Sequence, residues 1–271
     1  MKKTKTIAAA LMTLVLAAAL FAGCSSNQQA TSTTNSLDAI KKAGVLRIGL
    51  SDDFPPFEYR DDQNNLVGFD VDLANKIAQK LGVKTQFVPT TFDGIILALN
   101  SNKFDLIISG LSQTAEREKQ ISFAGPYLQS GQAVIVRADS GINSVADLKG
   151  KVVASQLGST GEQAAKTIQG TASLKTYDKV TDELQDLLIA GRIDAVVTDK
   201  PVAGYYIAKS PEKDKYKMLD GMLTQEPMGI GINKDATQLT AEVQKIYEGL
   251  VADGTMSQLS NKWFGYDAYA K

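Results

Sequence analysis

The sequence predicts an α/β protein of two lobes, each with a mixed, mostly parallel sheet flanked by helices. Three observations support this. Beyond residue 36, apolar runs of strand length alternate with helical patterns, as layered α/β proteins require. A segment of the first half is echoed in the second: Lys103-Phe104-Asp105-Leu106-Ile107-Ile108-Ser109 matches Arg192-Ile193-Asp194-Ala195-Val196-Val197-Thr198. Each copy has a basic residue, an apolar one, an Asp, a buried-strand run and a hydroxyl residue, after a leucine-rich helix. Finally, 271 residues with 44% hydrophobic content can bury one large core or two smaller ones.

The elements can be justified in order. Leu37 to Gly44 reads as a short helix closed by glycine, and Val45 to Leu50 as a strand. Pro55 and Pro56 stop any regular element in the polar loop from Ser51 to Glu58. Asp70 is expected to cap an amphipathic helix whose Leu73, Ile77 and Leu81 fall at i, i+4 and i+8, ending at Gly82. A strand at Val83–Val88, a helix at Phe92–Asn100 and the strand from Asp105 follow. The pattern pauses at Leu128–Gly131, and Gln132 to Arg137 is extended. A second series then runs through strands at Lys151–Ala154, Leu174–Tyr177 and Ile193–Thr198, separated by helices opening at Gly158–Gly161 and Thr181. A helix from Pro201 to Lys209, the return through Met218 to Ile232 and two closing helices complete the chain.

The N-terminus reads differently. Lys2, Lys3 and Lys5 precede sixteen almost unbroken apolar residues from Ile7 to Ala22, short of the ~20 that a membrane-spanning helix needs. Phe21-Ala22-Gly23-Cys24 resembles the bacterial lipoprotein signal, in which small residues precede a cysteine that is lipidated. This implies a signal peptide at 1–23, lipidation of Cys24 and a lipid anchor on the extracytoplasmic face of the membrane. A Gram-positive cell surface is expected rather than a Gram-negative periplasm. Ser25 to Ser36 is polar and aperiodic, so 24–36 reads as a disordered tether.

Composition excludes much. With no histidine, Ser-His-Asp and Cys-His nucleophile systems and histidine-ligated zinc are absent. A single cysteine permits neither an internal disulfide nor a thiolate cluster. No metal or cofactor is expected. Net charge is −1, and removal of the three leader lysines takes it to −4 with no basic block, so no nucleic-acid partner is expected.

The candidate site starts at Ser109-Gly110-Leu111-Ser112-Gln113-Thr114-Ala115-Glu116-Arg117. Thr114 reads as a helix N-cap, which puts Arg117 in the first turn, against the positive end of the dipole. Either another group wants that guanidinium, or Glu116 and Glu118 screen it at the surface. The echo strand ends at Asp199. Ligands of open α/β sheets gather beyond the carboxyl ends of strands, so Arg117 and Asp199 are expected to face one cleft. A cation on one side and an anion on the other suit a free amino acid.

Pro56-Phe57-Glu58, Gly68-Phe69-Asp70-Val71-Asp72-Leu73, Phe92-Asp93-Gly94-Ile95-Ile96, Ile108 to Ser112 with Arg117, Gly158-Ser159-Thr160-Gly161, Asp194 to Asp199 and Lys262-Trp263-Phe264-Gly265 recur in order. Together they resemble the solute-binding proteins of polar amino acid ABC importers, bacterial extracellular family 3, over Leu37 to Gly265. The resemblance implies a type II periplasmic-binding-protein-like fold with lobe 1 over 37–128 and 226–271, lobe 2 over 132–222, and a two-strand hinge near Leu128–Gly131 and Leu223–Glu226. Arg117, assisted by the Thr160 and Gly161 amides, would hold the α-carboxylate. Asp199, the Ser112 hydroxyl and the Gly110 carbonyl would hold the ammonium. Phe54 and Phe92 would cover the aliphatic part of the side chain, with Gln156 and Thr198 near its tip. Ser51 stands where members that bind basic side chains often carry an acid, and Asp52 or Asp53 could substitute by a small loop shift; otherwise these acids read as solvated.

The resemblance implies a monomeric, non-enzymatic protein that delivers a polar L-amino acid, amide or basic, to permease subunits. The alternative is an enzyme on the same fold, of the prephenate or arogenate dehydratase type.

Overall fold

The computed structural model describes residues 37–189 and 191–270. The signal peptide, Cys24 and the tether lie outside the described residues. Helix α1 (Leu37–Ala43) leads into β1 (Val45–Leu50). Three short strands, β2 (Asp53–Phe54), β3 (Glu58–Arg60) and β4 (Leu66–Val67), precede α2 (Phe69–Leu81) and β5 (Lys84–Pro89). A 3-10 turn over Phe92–Gly94 opens α3 (Ile95–Asn100), and β6 (Leu106–Ile107), α4 (Ala115–Gln120) and β7 (Ile121–Ser130) follow. The second series contains β8 (Gln132–Arg137), β9 (Val152–Gln156), α5 (Thr160–Thr167), β10 (Ser173–Tyr177), α6 (Val180–Leu188), β11 (Ala195–Asp199), α7 (Lys200–Lys209) and β12 (Tyr216–Met218). Finally come β13 (Glu226–Asn233), α8 (Thr237–Ala252) and α9 (Thr255–Phe264).

Two five-stranded sheets share one plan. The first has the order β5-β1-β6-β13-β7 and the second β10-β9-β11-β8-β12. In each, three neighbouring strands run parallel and the remaining two pair antiparallel. The echoed segments supply β6 and β11, the third strand of each sheet. Their aspartates do the same work: Asp105 Oδ2 accepts the Arg47 amide of β1 at 2.8 Å, and Asp194 Oδ2 accepts the Val152 amide of β9 at 2.9 Å. Each carboxylate, standing just ahead of its own strand, accepts a backbone amide of the neighbouring strand that the pairing leaves open. β11 and most of β8 are buried on both faces, as their unbroken apolar runs require.

Helix α2 buries Leu73, Ile77 and Leu81 and turns Asn75, Lys76, Gln79 and Lys80 to solvent. α3 packs Ile95 and Leu99 on Phe104 and Ile107, closing the other face of the first sheet. Only Gly131 separates β7 from β8, so that connection passes directly from one sheet to the other. The return strand lies beside it, with Glu226 opposite Ser130 and the Leu223 amide donating to Gln132 O at 2.7 Å.

Three local expectations are corrected. The proline loop is not structureless: β2, β3 and β4 form a small antiparallel sheet around it, because the prolines fall between strands rather than in them. Asp70 is not the cap of α2. The helix starts at Phe69, which turns the Asp70 side chain inward to accept the Gly110 amide at 2.7 Å and the Tyr127 hydroxyl at 3.0 Å. The pause at Leu128–Gly131 is also shorter than expected, since pairing with β13 carries β7 to Ser130.

Candidate functional site

The carboxyl ends of β1, β6, β9 and β11 face one another across the two lobes, and the lobes touch there. Ser112 Oγ lies 3.3 Å from Thr160 Oγ1, and the Tyr59 and Tyr205 rings approach to 5.5 Å between centroids. Gly158 has a φ of +75°, and a Cβ there would fall 2.8 Å from Asp93 Cα, so only glycine permits the approach.

On the first lobe, Thr114 Oγ1 accepts the Arg117 amide at 3.2 Å, which sets the start of α4. This fixes Arg117 inward: it is 8% exposed, not a surface residue. Its Nη1 donates to Ser112 O at 2.9 Å and its Nη2 to Gly158 O at 3.1 Å, and its guanidinium carbon stands 5.4 Å from the Phe92 ring centre. A guanidinium has five N–H donors in a planar fork. Among the described residues it forms no ion pair. Burial lowers its pKa, while Asp199, Glu226 and Glu116 pull the other way from a distance.

Gly110 takes a φ of +51° with its face against Phe54, where a Cβ would lie 2.6 Å from the ring. Behind it runs a buried polar chain. Ser109 Oγ accepts the Ser51 amide at 3.0 Å and donates to Glu58 Oε1 at 2.5 Å. Burial and the neighbouring Asp70 charge hold Glu58 well above the usual carboxylate range, and burial lifts Asp70 to about 6. Glu58 thus holds the Ser109 hydroxyl, and Asp70 beside it fixes the Gly110 amide. Ser51 is buried with its hydroxyl donating to Asp53 Oδ1 at 2.6 Å.

On the second lobe, Ser159 caps α5 by accepting the Glu162 amide at 3.0 Å, placing the Thr160 and Gly161 amides in its first turn. Gln156 is buried at the end of β9, its Nε2 donating to Asp178 O at 3.3 Å. Thr198 and Asp199 end β11, and both are buried. As strand neighbours their side chains leave opposite faces of the sheet, so Thr198 does not project the way Asp199 does. Asp199 Oδ1 is buried without a hydrogen-bond partner. Its pKa is raised to about 7: burial dominates, Glu226 adds to it, and a Gln132 hydrogen bond and Arg117 oppose it.

Several residues that face this space escaped the sequence reading. Gln132, opposite Asp199 in register, donates from Nε2 to Thr160 Oγ1 at 3.1 Å. Its signal was a polar residue opening a fully buried strand. Glu226 accepts from Thr224 at 2.7 Å and adds negative charge near Arg117 and Asp199. Of the loop acids, Asp52 is partly solvated and pairs with Arg60 at 2.8 Å. Asp53 is buried, contrary to the solvated reading, because β2 carries it against α6. Glu183 of α6 is fully buried beside it. Its signal was an acid on the apolar stripe of Val180, Leu184 and Leu187.

A cavity of 710 Å³ lies elsewhere, between α7 and the Asn261–Tyr266 segment, and none of the site residues lines it. A smaller one of 230 Å³ adjoins Arg117, Phe92 and Gly158. Among the described residues no cluster of three His, Cys, Asp or Glu side chains could hold a metal.

Two α/β lobes, closed on a buried cation from one and a buried acid from the other, have the architecture of a two-lobed binding protein. The chain belongs to the bacterial extracellular solute-binding proteins, family 3, which it matches over residues 46–266. It is 34% identical to the L-cystine-binding protein TcyJ of Escherichia coli K12 over 93% of this chain and 94% of that one. It is likewise 34% identical to the arginine-binding extracellular protein ArtP of Bacillus subtilis, over 81% and 86%. An ancestral arginine-binding protein solved with glutamine bound superposes with a TM-score of 0.77 at 44% identity, over 82% of this chain and 98% of that one. These relatives are amino-acid-binding proteins, and the family works with ABC importers outside the cytoplasm.

Proposed function

We propose that this chain captures a polar L-amino acid, with an amide or basic side chain, between its lobes and hands it to ABC permease subunits. One observation carries the reading: Arg117 and Asp199, both buried, come from opposite lobes to the same strand-end space, and among the described residues neither forms an ion pair. A zwitterion satisfies both. The α-carboxylate takes the Arg117 fork and the Thr160 and Gly161 amides at the start of α5. The ammonium takes Asp199, the Ser112 hydroxyl and the Gly110 carbonyl. Phe54 and Phe92 cover the aliphatic stem, with Ser51, Gln156 and Thr198 toward the tip.

Lobe 1 comprises 37–128 and 226–271, lobe 2 comprises 132–222, and the crossings at Leu128–Gly131 and Leu223–Glu226 serve as the hinge. The protein acts as a monomer, without cofactor and without catalysis. Lipidated Cys24 holds it to the outer face of the membrane of a Gram-positive cell.

A thermal-shift panel of the twenty amino acids tests the reading. A ligand at a hundred times its Kd adds about 2.7 kcal/mol of stability, so at least one polar amino acid raises the melting temperature by several degrees. If none does, the capture function is lost.

A further inference from the structure

The proposed zwitterion clamp accounts for one end of a bound amino acid and leaves two buried acids beyond it unexplained. Asp53 on β2 is 8% exposed, and Glu183 on α6 is 0% exposed. They belong to opposite lobes and meet where β2 packs on the first turn of α6. Asp53 Oδ1 is taken by the Ser51 hydroxyl, but Asp53 Oδ2 and both Glu183 oxygens are buried with no hydrogen-bond partner. The acids at the strand starts differ: Asp105 and Asp194 each accept a backbone amide, and Asp105 also pairs with Arg47 at 2.6 Å. The buried acids Glu58 and Asp70 each keep one oxygen hydrogen-bonded, whereas Glu183 has neither. A buried carboxylate without partners is costly, and two side by side repel as well.

Their place in the fold gives them a use. Ser51, which touches Asp53, and Gln156, which touches Asp178 just ahead of α6, are the residues expected at the tip of the ligand side chain. The two acids thus lie past that tip, away from Arg117. Lys179 and the Val180 amide are also close enough to ease Asp53, but Lys179 is exposed, and burial outweighs both. Tyr206 is the other titratable group felt by both acids, and it brings no positive charge.

Resting on the capture function above, we infer that Asp53 and Glu183 form a subsite for the guanidinium of an arginine-class side chain. Three carboxylate oxygens without a hydrogen-bond partner, on two acids from two elements, match a planar fork of N–H donors better than they match a single ammonium or an amide. Because one acid comes from each lobe, the cation also cancels the repulsion that closure creates. Such a ligand binds its acceptors and stabilises the closed form through the same contacts.

The test compares L-arginine with L-citrulline, its neutral isostere, by titration calorimetry on the full-length protein in detergent at pH 8. Wild type is expected to prefer arginine. Glu183→Gln and Asp53→Asn should each cut the arginine-to-citrulline preference by about tenfold or more, the scale of one charged hydrogen bond, with citrulline affinity changed by less than about threefold. Both substitutions are isosteric and remove charge rather than volume, and melting in the absence of amino acid checks folding. If one variant fails to fold, the other decides. An unchanged preference in the folded variants overturns the subsite. So does a wild type that binds glutamine or citrulline more tightly than arginine, an outcome that leaves the capture function standing. A wild type that binds no amino acid overturns both.

Discussion

The two sheets have the same strand plan, yet their third strands agree at one end and differ at the other. At the start, Asp105 and Asp194 make equivalent bonds to a neighbouring backbone amide. At the finish, β6 leads to Ser109, which is tied into the Glu58–Asp70 chain, whereas β11 ends in Asp199, with an unpartnered buried oxygen. The shared ends hold the lobes together. The differing ends face the cleft, where the proposed ligand would satisfy the oxygen that Asp199 leaves unpartnered. The same contrast separates Arg47, paired with a carboxylate, from Arg117, which among the described residues meets two carbonyls and a ring.

The sharpest way to break this contrast is at Arg117. Arg117→Ala should weaken amino-acid binding by at least about 3 kcal/mol, the range seen when one member of a buried charge pair is truncated. Ligand-free melting should stay level or rise, because a buried cation without an ion pair is removed. Lysine at this position should restore little, since a point charge cannot replace a bidentate fork. Calorimetry and a melting curve on the same sample check both halves. A large loss of ligand-free stability would make Arg117 structural and dissolve the contrast.

The strand starts should behave in the opposite way. Asp194→Ala leaves the Val152 amide without its acceptor, at a cost of about 1–3 kcal/mol. Asp105→Ala should cost somewhat more, since the Arg47 pair is lost with the amide bond. Neither should change ligand affinity beyond about threefold, within the independence expected of distant sites. Urea unfolding with and without ligand separates the two effects.

How far the sequence carried this picture depends on the range of the interaction. The strand–helix alternation and the echo rest on local period and composition, and both sheets follow from them. Arg117 and Asp199 were readable because a cap and a strand end fix where they point. Gln132, Glu226 and Glu183 were not, although their types and positions were in plain view. Their importance depends on what lies across the cleft or the hinge, and nothing local encodes that. Asp70 shows the same limit at short range: one residue's error in the helix start turns a cap into a buried acid of about pKa 6 that orders Gly110. The β2–β4 sheet was missed because its strands are two or three residues long, too short for any period to show.

The smallest effect concerns pH and bears on the unequal strand ends directly. Burial raises Asp199 from the ordinary carboxylate value of 3.8 to about 7 in the ligand-free fold. A carboxyl whose folded pKa is raised contributes most to stability when protonated, so this contribution is complete below about pH 4 and is lost as pH rises through 7. Asp70, raised to about 6, acts in the same direction. Ligand-free protein should therefore melt lower at pH 8 than at pH 6. Binding runs the other way, because the ammonium requires ionised Asp199. Affinity should improve by about tenfold, or 1.4 kcal/mol, from pH 6 to pH 8, as expected for a single group of pKa near 7 that must give up its proton. Asp199→Asn should flatten that profile while weakening binding at pH 8. The Asp194→Ala profile should keep the wild-type slope, since its carboxylate faces a backbone amide and not the cleft. A pH profile that is flat in wild type would mean that Asp199 is already ionised, and that the difference between the two strand ends is one of position alone.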